Sequence, residues 1–487
     1  MKKILIFLCI ALTTSACNEW LDVSPLGEVK EEDMYQNEEG FQGVLTGAYI
    51  AMASADLYGR TMTIQVPELL AQNWDVYSST GLEANIRDYN FETTAARNQI
   101  AATWRAYYNA IVGLNSLLAA IDGKQDLFTH GNYALIKGEA LGLRAFLHFD
   151  VLRLWGPAPL EANAAAPAIP YVEEVTREWE SLVSLPYQVV LQKILADLNQ
   201  AEELLQNDPI TLYARSVLNN GSGGPADEFH YYRQNRFNLL AAKAAKARYY
   251  QWIGQPALAA SCAREVVQAV VASTGKPVFE LATEGTIAGG ISSDGSPSTA
   301  ADLVMSMEHI FALHNPHFSE IMEPFFNIGN CMQELSWIDA AYEKSYHSDD
   351  IRCKTNRYWE ELQYPRRQAV FKKFYDPETR VSATVMPLIR LAEMYFIIME
   401  CGSIQEANER LIDFRVARVM DGSIDNSLAD ENDVRSRLEK EYRKEFYGEG
   451  QMFYYYKRHN VRPIAWPTVV ENVAYTLPKP EQQNKFE

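Results

Sequence analysis

Apolar positions along this chain recur mostly at helical steps. Between Tyr133 and Leu154, the residues Leu135, Ile136, Ala140, Leu143, Phe146, Leu147, Val151 and Leu154 follow one another at steps of one, three and four. That spacing collects them on one helix face. Gly156-Pro157 ends the helix, because proline has no N–H for the hydrogen-bond ladder. Ser184 is the expected N-cap of the next helix, with Pro186 in its first turn. The stripe that follows is Val190, Leu191, Ile194, Leu195, Leu198, Ala201, Leu204 and Leu205.

Two stretches predict helix–turn–helix units. The first runs from Asn238 through the Ala-rich 241–247 and Tyr249, Tyr250 and Trp252. It breaks at Gly254-Gln255-Pro256 and resumes with Ala259, Ala263, Val266 and Val267. The second is apolar from Pro387 to Glu400 and breaks at Cys401-Gly402. It resumes where Ser403 and Glu406 form a capping box ahead of Leu411, Phe414 and Val419. Hairpins of about 34 residues are the unit of tetratricopeptide arrays, and these two units are repeat-like. Asn219 to Pro225 and Gly285 to Ser298 are small and polar and predict loops. Residues 157–180, 315–385 and 460–487 carry prolines, aromatics and charge without a helical period, and long excursions of this kind are often functional.

The N-terminus has a different pattern. Lys2 and Lys3 precede an apolar run from Ile4 to Leu12, too short to span a bilayer of roughly 30 Å. Thr14-Ser15-Ala16 then lead into Cys17, a short apolar run plus small residues being the form of a secretory leader. With Cys at the first mature position it resembles a bacterial lipoprotein signal, with Thr14 where leucine is commoner, which implies a leader over 1–16, a lipidated tether over 17–33 beginning at Cys17, and one large body over 34–487. Lys and Arg number 44 against 63 Asp and Glu, for a net charge of −19. An acidic surface repels phosphate backbones, so nucleic acid is not an expected partner. The same acidity disfavours strongly anionic polysaccharides unless a local patch overrides it. Cys262, Cys331, Cys353 and Cys401 show no metal or disulfide spacing and predict ordinary buried thiols.

Several segments, in order, resemble the SusD/RagB family of surface lipoproteins. Cys17-Asn18-Glu19-Trp20-Leu21-Asp22 with Pro25 is similar to that family's mature start. Glu139 to Phe146 (EALGLRAF) with Trp155-Gly156-Pro157-Ala158-Pro159-Leu160 resembles its helix-to-loop signature, and Ile194 to Leu205 (ILADLNQAEELL) one of its helices. Pro387 to Tyr395 (PLIRLAEMY), Glu441 to Phe446 (EYRKEF) with Gly448-Glu449-Gly450, Lys457-Arg458 and Leu477 to Glu481 complete the series. The ending departs from the family in Pro478-Lys479-Pro480 and in a reduced Asn-rich finish at Gln482, Gln483 and Asn484. The resemblance implies a mainly α, single large domain built on tetratricopeptide-like helix pairs, near 238–270 and 387–420. It also implies an outer-membrane lipoprotein facing the cell exterior, a SusC-like TonB-dependent β-barrel partner that the protein covers as a lid, and an oligosaccharide or peptide ligand.

Sugar recognition uses flat aromatic faces beside amides and carboxylates. Asn73, Trp74, Asp75 and Tyr77 have that composition and are the first candidates. Phe326, Trp337 and Tyr342 form a second group. Arg390 and Glu393, spaced i, i+3, predict a structural ion pair or an interhelical contact, and Arg144, Glu441 and Glu445 share that scaffold reading. Tyr454-Tyr455-Tyr456 is expected to pack on the scaffold. Glu308-His309, His314 and His317 lack the HExxH register, so no metal is predicted; nor is any cofactor, calcium or catalytic residue. Two alternatives stay open: a helical glycoside hydrolase, which needs two carboxylates facing a cleft, and a protein-only repeat adaptor, which would bind no small ligand.

Overall fold

The computed structural model describes residues 34–76, 78–175, 182–220, 223–288, 302–326, 332–344, 348–353, 358–362, 368–374, 384–420 and 427–485. The leader, Cys17 and the tether lie outside them, as do Tyr77, Cys331 and the side chain of Phe326.

Helix α1 (Glu38–Met52) opens at Asn37, whose side chain accepts the Gly40 N–H. It packs on α2 (Thr94–Ile121), which in turn lies along α3 (Asn132–Trp155). The sequence predicts α3 as a helix with one apolar face. Instead every residue from Gly138 to Trp155 is buried, because neighbours cover it on all sides. Its glycines admit that approach: a Cβ on Gly142 would lie 2.1 Å from the Phe237 ring. The charges that α3 carries inward are matched. Arg144 grips Asp197 at 2.7 and 2.8 Å, and Glu139 faces Arg233.

Strands β1 (Pro167–Ile169) and β2 (Leu185–Pro186) form a short antiparallel pair immediately before α4 (Tyr187–Leu204). That pairing corrects the expected cap. Residues 185–186 are extended, Pro186 takes the N-cap position, and the Ser184 hydroxyl accepts from Lys479 Nζ at 2.9 Å. Helices α5 (Leu239–Trp252) and α6 (Pro256–Val267) form a hairpin whose turn needs Gly254, at φ +69°.

The excursion over 315–385 holds more structure than its lack of helical period predicts. Strand β3 (His309–His314) leads into it. Strands β4 (Met332–Glu334), β5 (Trp359–Leu362) and β6 (Gln368–Phe371) form an antiparallel sheet in the order β4-β6-β5. Strand β7 (Val385–Arg390) returns antiparallel to β3. The second predicted hairpin therefore begins later than its apolar run. Residues 385–390 belong to β7, and α7 (Leu391–Cys401) starts after Arg390. A short apolar run fits either element, and pairing with a distant strand decides it. The Ser403–Glu406 capping box is present at the start of α8 (Ile404–Ala417). α6 packs on α7, so the hairpins α5–α6 and α7–α8 stack consecutively. Helices α9 (Glu431–Glu445) and α10 (Gln451–His459) close the body, with Tyr454, Tyr455 and Tyr456 buried.

One contiguous apolar core runs from Tyr35 to Leu477, and the chain is a mainly α-helical, single large domain. At its centre lies a buried ionic network. Arg390 bonds Glu308 (2.9 Å), Glu445 (2.7 Å) and Glu449 (2.8 Å), and Arg418 shares the first two at 2.7 and 2.6 Å. Arg352 ties Glu441 and Glu445 to Asp350. Arg390 and Glu393 are thus not paired with each other. Glu393 binds Arg248 on α5 at 2.6 Å, which is the interhelical alternative.

Candidate functional site

The structure joins the two segments that carry the predicted aromatic groups, through Phe325 and Gln333, but mostly as core. Trp74 is 1% exposed; its indole N–H donates to the Ile64 carbonyl at 2.7 Å, and its ring meets Tyr447 edge-on at 4.9 Å. Phe325 lies 6.3 Å away and Phe371 6.2 Å. Gln333 donates to the Asn73 carbonyl at 2.8 Å, which ties the two segments. Trp74 therefore has no ring face to offer a ligand, and its expected role is corrected to that of a core anchor. The same correction holds for Asn73, which is 1% exposed and whose amide NH2 donates to Glu68 at 2.7 Å. It holds also for buried Tyr342, which donates to the Lys444 carbonyl at 3.2 Å. Asp75, which accepts from Gln368 at 3.0 Å, and Trp337 keep part of their surface exposed.

Burial pushes Glu68 up to about 7, against the bonds it accepts from Asn73 and Gly450. The folded state thus holds this proton more tightly than the unfolded chain. The stability it contributes is complete below about 4.5 and is lost as pH rises through about 7. Glu68→Gln should flatten that slope, measured as urea midpoints at pH 5 and pH 8.

Glu308-His309 does not form a metal centre. Glu308 is committed to Arg390 and Arg418, and His309 Nε2 lies 2.8 Å from the Val304 carbonyl. No cluster of three or more His, Cys, Asp or Glu suited to a metal occurs among the described residues.

A larger opening lies elsewhere. A cleft of about 750 Å³ is bounded by α1, residues 215–219 and 228–236, and strand β3. Tyr49, Tyr231 and Tyr232 supply its rings. Tyr232 is 52% exposed and sits in the left-handed region, at φ 53° and ψ 39°. A bulky residue rarely adopts that conformation, and such outliers concentrate at functional sites. Its N–H is held by the Leu218 carbonyl at 3.0 Å. Beneath it, Arg233 is buried between Asp208 and Glu139, fixing the turn from below. Tyr49 is oriented by its 2.6 Å bond to Glu139, and the Arg236 guanidinium stacks on Phe229 at 4.2 Å.

Four residues lining this cleft carry a buried polar atom with no hydrogen-bond partner: Arg215 Nη1, Gln234 Oε1, His309 Nδ1 and Arg236 Nη1, the last lying 3.6 Å from the Glu139 carboxylate. Buried polar groups are nearly always satisfied, so four such atoms around one cleft mark a place for a ligand or water to bond. Burial holds His309 well below the usual imidazole range, so it is neutral. With Nε2–H donating to Val304, Nδ1 is an acceptor. Sequence reasoning missed this site. Tyr231-Tyr232 beside a small polar loop is its one local signal; the remainder joins segments far apart in the chain.

Residues 19–217 match the family model described as starch-binding associating with outer membrane. A SusD-like protein of Formosa agariphila is 22% identical over 42% of this chain, and one of Bacteroides ovatus is 26% identical over 42%. These matches span only 37% and 35% of the two relatives, about a third of their length. A SusD superfamily protein of Bacteroides fragilis has the same fold with a TM-score of 0.68 at 17% identity, over 93% of this chain and 99% of the other. A laminarin-binding SusD-like protein shares the fold at 0.58 and 17%, over 87% and 92%. No described helix is long and apolar enough to cross a membrane. Its N-terminal part is thus similar to that family model and to SusD-like relatives, and over nearly its whole length the chain has the fold of SusD-superfamily structures.

Proposed function

We propose that this chain binds an oligosaccharide at the outer face of the outer membrane and hands it, uncleaved, to a SusC-like TonB-dependent barrel. Lipid on Cys17, a tether over 17–33 and a binding body over 34–487 complete the proposed arrangement. The observation that carries the reading is the 750 Å³ cleft, where tyrosine rings stand beside unpaired acceptors and a guanidinium. Rings pack against sugar C–H faces, and a hydroxyl can both donate and accept. The family model's wording and the laminarin-binding neighbour support a glycan ligand over a peptide.

Binding rather than hydrolysis is favoured by the cleft's charges. Glu228 is the one carboxylate among the described residues lining it. Glycoside hydrolysis generally uses two carboxyl groups, roughly 5–9.5 Å apart. Purified protein should therefore retain an oligosaccharide whose mass is unchanged after prolonged incubation, and native membranes should yield it together with a large barrel. Shortened oligosaccharide products would contradict the first expectation, and isolation without a barrel the second.

A further inference from the structure

We propose that the cleft selects acidic sugars, with a uronate carboxylate seated on Arg215 and ring hydroxyls donating to His309 Nδ1 and Gln234 Oε1. This rests on the glycan-binding reading above and names the substrate class of the same site.

Several fully buried guanidiniums of this fold are matched by carboxylates: Arg233 by Asp208 and Glu139, Arg248 by Glu393, and Arg390 and Arg418 by Glu308 and Glu445. Half-buried Arg215 differs: its Nη1 is buried with nothing to bond, and unlike Arg236 Nη1 it has no carboxylate within ion-pair distance. Burying a charge without a counter-charge is costly, and a ligand anion would offset that cost. Asp302 acts on Arg215 only at a distance, and its Oδ2 already accepts from the Ser306 N–H and hydroxyl at 2.8 and 2.6 Å. Of the other charged groups lining the cleft, Glu228 is acidic, whereas Arg236 is basic and lies 3.6 Å from Glu139. The lining thus holds two guanidiniums against one carboxylate, in contrast to the chain's net charge of −19.

Burial lowers the Arg215 pKa to about 10, which still leaves it protonated at neutral pH. A guanidinium pairs with a carboxylate through two parallel hydrogen bonds, more strongly than with a neutral hydroxyl. His309 Nδ1 and Gln234 Oε1 are acceptors and so require donors. A uronic acid residue presents a carboxylate and several hydroxyls on one ring, whereas a neutral hexose leaves the guanidinium without an anion. At about 750 Å³ the cleft falls in the usual size range of small-ligand pockets.

The test is calorimetric titration with an oligogalacturonide, its fully methyl-esterified counterpart and a neutral β-glucan oligomer. The free acid should bind at least about tenfold more tightly than the ester, and the difference should shrink in high salt. Arg215→Gln should erase the preference without lowering the thermal midpoint, since the side chain leaves no protein partner behind. Equal affinity for acid and ester, or a preference that survives Arg215→Gln, would overturn the inference. If the neutral glucan alone binds, the inference falls and the glycan-binding reading stands. If no glycan binds, both fall.

Discussion

Arg390→Met is expected to destabilise the chain by about 3–5 kcal/mol or more, the range for breaking a buried ion pair by removing one partner. The guanidinium touches Glu308, Glu445 and Glu449 at once, and its side chain is fully buried. Arg418 would stay on Glu308 and Glu445, and Lys373 on Glu449, but the buried site would hold uncompensated negative charge. The network joins the 3-10 turn before β3, the end of β7, α9 and the loop before α10, so its loss reaches across the domain. Chemical denaturation measures the effect. Arg264→Ala is the matched control: its pair with Glu406 is about one-third exposed, and such pairs contribute about 1 kcal/mol or less. Equal midpoints for the two variants would refute the scaffold role assigned to Arg390.

Trp74→Ala should cost about 3–5 kcal/mol, the usual loss for truncating a large aromatic side chain in a core. The variant vacates a volume enclosed by Tyr447, Phe325 and Phe371 and leaves the Ile64 carbonyl without its indole donor. Trp337→Ala, made on a half-buried ring, should cost much less. Urea midpoints separate the cases. A Trp74→Ala protein as stable as the parent but deficient in glycan binding would restore Trp74 as a ligand platform.

What could be read ahead of the structure follows the range of each interaction. The periodicities of α3 and α4, the breaker at Gly254 and the Ser403–Glu406 box are local, and each locates its element within a few residues. The β7 strand was hidden because its apolar run fits a helix as well, and only the distant partner β3 decides between them. Trp74 misled for a related reason. An indole flanked by Asn73 and Asp75 has the composition of a sugar platform, yet those polar neighbours are used inward, on Glu68 and Gln368. The cleft left only one local trace, Tyr231-Tyr232 beside a small polar loop. Tyr49, Arg215, Tyr232 and His309 meet only after folding, and a missing partner is a property of the assembled site.

Hydrogen–deuterium exchange on the full chain, with and without saturating oligosaccharide and with the ligand weighed by mass spectrometry afterwards, tests the central claim most directly. Protection should concentrate at residues 46–50, 215–236 and 309–314, and the recovered ligand should be intact. Protection confined to the segments around Asp75 and Trp337, or a ligand recovered in pieces, would contradict it.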